Sequence, residues 1–140
     1  MSVDRERIAS RISDVQVAME QLEKYAVMDA DEFVSNSEKV AASKYHLLTM
    51  IEGCISICTH IAAREIHKVP EGYGTCFKLL AENNLIDEEL ANSLSRMAGF
   101  RNLLIHQYWE IDNHNVHKYI ISGKEDVKTF IQITGDRYLK

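Results

Sequence analysis

The sequence has few of the residues that break a chain into short pieces. Its 140 residues include a single proline, Pro70, and six glycines. Because proline and glycine interrupt helices and strands, their scarcity favours a few long helices. No stretch shows the strict alternation of apolar and polar residues that is typical of a half-buried strand. The length suits one core, so residues 1–140 are interpreted as a single domain.

Other absences restrict location and partners. No run approaches the roughly 18–20 apolar residues that a membrane span needs, and Met1–Arg11 lacks the apolar run of a secretory signal. The three cysteines are odd in number and lie in apolar helical patterns, which indicates reduced core thiols. We therefore expect a cytoplasmic protein. The formal net charge of −5 disfavours a broad surface for nucleic acid, so any such contact must be local.

Apolar residues recur at intervals of three and four and predict an all-α, up-and-down bundle of about five helices. The first two apolar stripes consist of Ile8, Ile12, Val15, Met19 and Leu22, and of Val40, Leu47, Ile51, Cys54, Cys58 and Ile61. Asp4 and Asp87 are predicted to cap helices. The predicted helices run from Asp4 to about Met28, from Asp31 or Ser37 to about Lys68, from about Gly74 to Glu82, from Asp87 onward, and from about Asn115 onward. A short connection predicts that the first two pair antiparallel. Gly99 predicts close packing against a neighbouring backbone, and Gly123 is a candidate interruption of the last helix.

The segment from Arg101 to Tyr108 concentrates chemically capable side chains. Arg101 offers a planar, permanently charged fork suited to phosphate. The imidazole of His106 is a side chain of the type that can act as acid or base. Tyr108 offers a hydroxyl as a donor or as a modification site. Between them, the triplet Leu103–Ile105 is expected to anchor the segment in the core.

Helical spacing leaves three ways for this segment to form a site. At about 100° per residue, Arg101 and Tyr108 share a face within about 20°, whereas His106 lies about 140° from Arg101. Either the helix loosens, or the arginine swings round, or two chains each contribute to one groove. We favour the last, because a two-fold homodimer brings the same patch together from both subunits. On spacing alone, however, structural roles for these residues are the commoner outcome.

The motif Arg-Asn-Leu-Leu-Ile-His-Gln-Tyr at 101–108 resembles the Arg-x4-His-x-Tyr signature of the HEPN superfamily, and more narrowly that of the HepT toxins of HepT–MntA toxin–antitoxin pairs. The resemblance covers nearly the whole chain. It extends over Val3–Ile8, Ile55–Ile61, Pro70–Phe77, Leu80–Ile86, Ala98–Phe100 and Glu110–Asp112. The chain departs from the pattern at Ser56, where the family often has an acidic residue, so no role for a carboxylate of the second helix carries over.

The resemblance implies the toxin of a type VII toxin–antitoxin system. It would be a homodimeric, metal-independent ribonuclease in which Arg101 and His106 are catalytic and RNA is the substrate. The resemblance also implies that an MntA-like nucleotidyltransferase antitoxin adds AMP to Tyr108. The ATP and Mg²⁺ for that reaction would be used by the partner, and the toxin itself would need no cofactor.

Three further residues are candidate substrate contacts, each with a plainer alternative. Asn102 adjoins Arg101 in the motif. His60 could face the same groove, although a satisfied buried histidine is the simpler interpretation. His114 follows the motif in a turn, where a solvated or capping role is the simpler one. Cys54 and Cys58 have a spacing that can bind metal, but core packing explains them better, and we assign no metal site.

Two other functions compete with the nuclease. HEPN domains also occur as non-catalytic helical partners, or binding modules, of nucleotidyltransferases, and the acidic net charge favours this reading. A purely structural helical dimer is the third candidate. Expression toxicity that His106→Ala abolishes would separate the first function from the other two.

Overall fold

The computed structural model describes residues 2–140 and confirms the all-α prediction. Its helices are α1 (Arg5–Ala26), α2 (Ala30–Val34), α3 (Ser37–Ile61), α4 (Tyr73–Glu82), α5 (Glu88–His106) and α6 (Asn113–Tyr138). A π-helical turn, Ala62–Ile66, continues α3, and a 3-10 turn, Tyr108–Glu110, follows α5. No strand occurs within residues 2–140. The short α2 is the one α-helix that the sequence patterns did not predict.

Short polar side chains set the beginnings of five helices. The side chains of Asp4, Asp29, Asn36, Asp87 and Asp112 each accept a hydrogen bond from a backbone N–H in the first turn of the helix that follows. Such caps satisfy donors that have no partner within the helix. The caps at Asp4 and Asp87 were predicted from the sequence. The last helix begins two residues earlier than predicted because Asp112 caps it.

The core lies between α1, α3 and the later helices, and α1 packs tightly against α3 at Gly53. A Cβ atom at Gly53 would overlap Cγ2 of Val15 on α1. The predicted close approach at Gly99 is wrong, because no atom lies within 4 Å of a Cβ built there. Gly123 does not interrupt the last helix, since α6 is continuous.

Helix α3 supplies the centre of the core and much of the site. With the π-helical turn it forms a 30-residue stretch that is long and apolar enough to cross a membrane by length and composition, but 61% of its most apolar window is buried inside the bundle. Its predicted apolar stripe is buried throughout: Val40, Leu47, Ile51, Cys54, Cys58 and Ile61. Cys54, Cys58 and Cys76 are buried free thiols, as predicted. Burial raises the pKa of Cys54 to about 12.

Candidate functional site

The guanidinium of Arg101 is held by a carboxylate from α3. Arg101 lies near the end of α5, and its Nε is 2.5 Å from Oε1 of Glu52. The Arg101 side chain is 17% exposed, whereas that of Glu52 is 43% exposed. A guanidinium that is charged at every relevant pH and largely removed from water needs an anionic partner. Glu52 supplies that partner and fixes the direction in which the arginine points.

Two further contacts orient the same guanidinium. One terminal nitrogen of Arg101 donates to Oδ1 of Asn102 at 3.2 Å, and the guanidinium carbon lies 4.7 Å from the centroid of the Tyr73 ring. Because a guanidinium only donates hydrogen bonds, Asn102 must present its oxygen here, which leaves its amide N–H groups directed elsewhere. The remaining N–H donors of Arg101 have no hydrogen-bond partner within residues 2–140. They are the donors available to an external anion.

His106 is the last residue of α5 and its side chain is exposed. The helix is unbroken from Glu88 to His106, so it does not loosen between Arg101 and His106. The arginine is directed toward α3 by Glu52 rather than round its own helix. Two of the three explanations for a shared site are therefore not realised in this chain. The third, a groove built from two chains, stays a prediction.

Tyr108 does not share a helical face with Arg101, so that prediction is wrong. The helix ends at His106, Gln107 has non-helical dihedral angles (φ −133°, ψ 35°), and Tyr108 begins the 3-10 turn. A helical face shared by Arg101 and Tyr108 would require one continuous helix through residue 108. Tyr108 instead contacts α3, where the Lys44 ammonium donates to its backbone oxygen at 3.0 Å and lies 4.1 Å from its ring centroid.

Lys44 contacts Tyr108 and Glu52 contacts Arg101, so both motif residues attach to the same helix, α3. Lys44 is buried, and its burial lowers the pKa of its ammonium. The Tyr108 carbonyl and ring face replace part of the water that this charge has lost. Lys44 and Glu52 are eight residues apart on α3, about 12 Å along the axis. Tyr108 and Arg101 therefore attach to α3 about two turns apart.

The motif exposes more apolar surface than its sequence suggested. Of the expected anchor, only Leu104 is buried, at 4% exposed, while Leu103 and Ile105 are 41% and 39% exposed. Trp109 is 77% exposed and Tyr108 is 41% exposed. We call Leu103, Ile105, Tyr108 and Trp109 the apolar rim. Successive helical residues point about 100° apart, so a triplet cannot all face the core.

The two other candidate histidines, His60 and His114, have partners of their own. His60 is buried, and its Nε2 accepts the backbone N–H of Asp4 at 2.8 Å, which ties α3 to the start of α1. Its burial and the nearby Arg64 lower its pKa. His114 is exposed, and its hydrogen bond to Asp31 raises its pKa. Neither ring is hydrogen-bonded to Arg101 or His106 within the described residues, so the simpler interpretations fit both.

Sequence reasoning missed Glu52 and Lys44. The family pattern pointed to residue 56, one turn further along α3, where this chain has a serine in place of an acid. The signal for Glu52 was nevertheless present, because it is the only Asp, Glu, Lys or Arg between Lys44 and Arg64. A lone carboxylate within so apolar a helix requires a cationic partner. The family resemblance carried over no role for a carboxylate of this helix, but Glu52, four residues before Ser56, contacts Arg101.

Known proteins are similar to this chain in sequence and in fold. A protein of Shewanella oneidensis described as mRNA nuclease HepT is 35% identical over 82 residues, which are 59% of this chain and 62% of that protein. A proposed RNase of Archaeoglobus fulgidus is 31% identical over 106 residues, 76% of each chain. The solved structure of a tri-AMPylated Shewanella oneidensis HEPN toxin in complex with MNT antitoxin matches with a TM-score of 0.84 and 26% identity, over 93% of this chain and 97% of that one.

The aligned segment covers 62% of the first of these relatives, which is less than two thirds of its length. A family model matches a longer part of this chain. The model described as Ribonuclease HepT-like matches residues 15–133, which include all of α3 and α5 and the whole motif. The chain belongs to the Ribonuclease HepT-like family.

Proposed function

We propose that this protein is the ribonuclease toxin of a toxin–antitoxin pair and that it cleaves RNA at a groove formed by two copies of the chain. The observation that carries the proposal is the state of Arg101. Glu52 and Asn102 hold its guanidinium in one direction, while its other N–H donors have no partner among residues 2–140. A fixed guanidinium with free donors suits the non-bridging oxygens of a phosphodiester.

The chemistry needs two proton transfers and one site of charge stabilisation. A base takes the proton of the ribose 2′-hydroxyl, and the 2′-oxygen forms a bond to the adjacent phosphorus. The bond from phosphorus to the 5′-oxygen breaks, and an acid gives that oxygen a proton. The products are a 2′,3′-cyclic phosphate and a 5′-hydroxyl. His106 serves in these transfers, each typically worth about 10²–10⁴-fold, and Arg101 stabilises the phosphoryl oxygens. No step requires a metal ion.

A homodimer supplies the second proton-transfer group. Both copies of His106 would line one groove around a two-fold axis, one acting as base and the other as acid. The apolar rim supports this arrangement, because its four residues, which precede and follow His106 in the sequence, are each about 40% exposed or more. Apolar surface concentrated in this way is typical of a protein interface.

Tyr108 is the proposed site of inactivation. Its hydroxyl would attack the α-phosphorus of ATP in the antitoxin, lose its proton, and release pyrophosphate, leaving AMP on the tyrosine. A structurally similar toxin, 26% identical to this chain, is tri-AMPylated, which supports modification of this kind. Because Lys44 and Glu52 hold the two residues about two helical turns apart, anionic nucleotides on Tyr108 would extend into the surroundings of Arg101. They would compete with RNA for the same cations.

Growth of cells that express the chain tests the proposal most cheaply. Expression of the chain alone in the cytoplasm should arrest cell growth, and co-expression of a cognate nucleotidyltransferase should restore growth. Arg101→Ala and His106→Ala should each abolish the arrest, while Arg96→Ala, which removes another arginine of α5, should not. The net charge of −5 favours one alternative, a non-catalytic binding partner of a nucleotidyltransferase. That alternative predicts binding to the enzyme without toxicity.

A further inference from the structure

A cavity of about 580 Å³ opens beside the proposed phosphate-binding arginine. It lies between the end of α3 and the loop that leads into α4, and its lining includes Ala63, Pro70, Tyr73 and Asn102. Two of these residues also contact Arg101: Tyr73 lies under its guanidinium and Asn102 accepts from it. Tyr73 and Asn102 therefore link the cavity directly to Arg101.

Resting on the proposed function, we infer that this cavity is a subsite for one nucleobase of the RNA, belonging to a nucleotide next to the cleaved phosphodiester. A base is joined to its phosphate through a single ribose, so a phosphate on Arg101 places a neighbouring base close to Tyr73 and Asn102. The Tyr73 side chain is 40% exposed and presents an aromatic surface, and Pro70 and Ala63 provide apolar walls. Stacking on such a surface is how proteins bind unpaired bases.

The polar groups at the cavity match the edge of a base. The Asn102 amide turns its oxygen to Arg101, so its N–H groups are free to donate to a carbonyl oxygen or ring nitrogen. Lys68 and Glu71 also line the cavity and are exposed, so their charges offset each other and binding of the base rests on stacking and on the Asn102 amide. Contact with RNA is thus confined to this cavity and to Arg101 and His106, which suits a protein with a net charge of −5.

Removing bases from the substrate tests the subsite without altering the protein. Wild-type dimer would be given a short RNA that it cuts, and the same RNA with an abasic ribose at each position in turn around the cut. Loss of one stacked base should raise KM by about 5- to 150-fold at one position beside the cut, with kcat little changed. Binding that is equal in the ground state and the transition state changes KM alone.

A filled cavity should reproduce that loss. Ala63 is exposed, so Ala63→Trp places an indole in the cavity without disturbing the core, and Ala9→Trp on the exposed face of α1 is the matched control. Ala63→Trp should raise KM for the intact RNA and show no further loss on the abasic RNA, whereas Ala9→Trp should behave as wild type.

The outcomes separate this inference from the proposed function. If His106→Ala cuts as well as wild type, or if wild type cuts nothing, the nuclease proposal fails and the subsite fails with it. If cleavage depends on His106 but no abasic position matters, or if Ala63→Trp keeps the full abasic penalty, the subsite alone is wrong. Conversion of Ala63→Trp to a monomer, measured by light scattering, would mean that a second copy occupies the cavity and would also overturn the inference.

Discussion

Glu52 and Arg101 form an ion pair between α3 and α5, with Nε of the arginine 2.5 Å from Oε1 of the carboxylate. The pair joins two helices at the point where the proposed chemistry occurs. The Glu52 carboxylate is nearly half exposed, which limits what the pair adds to stability, so its main effect is to set the direction of the largely buried guanidinium. The carboxylate is thus a positioning group for the arginine and takes no part in proton transfer.

Glu52→Ala should lower the rate of RNA cleavage by up to about 100-fold, because a displaced guanidinium no longer meets the phosphate in the right geometry. Glu52→Gln keeps an oxygen acceptor for Nε and should retain most of the activity. Asp14→Ala, which breaks the exposed pair between Arg11 and Asp14, is the control for loss of one surface carboxylate. An unchanged rate for Glu52→Ala would contradict the positioning role.

Tyr108→Phe should keep RNA cleavage and lose all AMP incorporation, because only the hydroxyl is removed. Intact-mass spectrometry after incubation with a cognate nucleotidyltransferase, ATP and Mg²⁺ measures the AMP added. Lys44→Met removes the hydrogen bond to the Tyr108 backbone and the charge over its ring while keeping the side-chain volume. We expect slower AMP addition to this variant. AMP on the Phe variant would place the modified group elsewhere.

The sequence predicted most of this fold because its signals are local. The stripes of α1 and α3 and the caps at Asp4 and Asp87 each depend on residues within a few turns, and each was read correctly. The contacts of Arg101 with Glu52 and of Tyr108 with Lys44 join residues 49 and 64 positions apart, and no periodicity encodes them. The close approach at Gly53, rather than at Gly99, likewise depends on which helix lies alongside.

Gly53→Ala should destabilise the protein by about 1–3 kcal/mol, because the added methyl group overlaps Val15 and overpacks the core. Gly99→Ala should instead stabilise it by about 0.5–1 kcal/mol, since that position is helical and has open space. Urea unfolding of both variants measures the free energies. Combining Gly53→Ala with Val15→Ala should recover part of the loss, and equal effects of the two glycine substitutions would contradict the packing described.

His60 should make the stability of the protein fall in mild acid. Its Nε2 accepts the Asp4 N–H only in the neutral ring, and burial, together with Arg64 and Arg7, lowers its pKa below the ordinary 6.5. A group with a lowered folded pKa favours the native state above its unfolded pKa and loses that contribution as pH falls below about 6.5. The pKa of His46 is lowered too, so part of the slope will remain in a His60 variant.

Urea unfolding at a series of pH values between 7.5 and about 5 measures this slope. His60→Gln should flatten it, because glutamine does not titrate and can still offer an oxygen to Asp4. A His60→Gln protein whose stability falls as steeply as that of wild type would show that another group is responsible.

The most direct measurement compares purified wild-type protein with His106→Ala, prepared side by side, on the same RNA in the presence of a metal chelator. We expect wild type to cut the RNA and leave 2′,3′-cyclic phosphate ends, and the substitution to slow the reaction by at least about 100-fold without changing the helical content. Cleavage at the wild-type rate by His106→Ala would contradict the role of His106 in proton transfer.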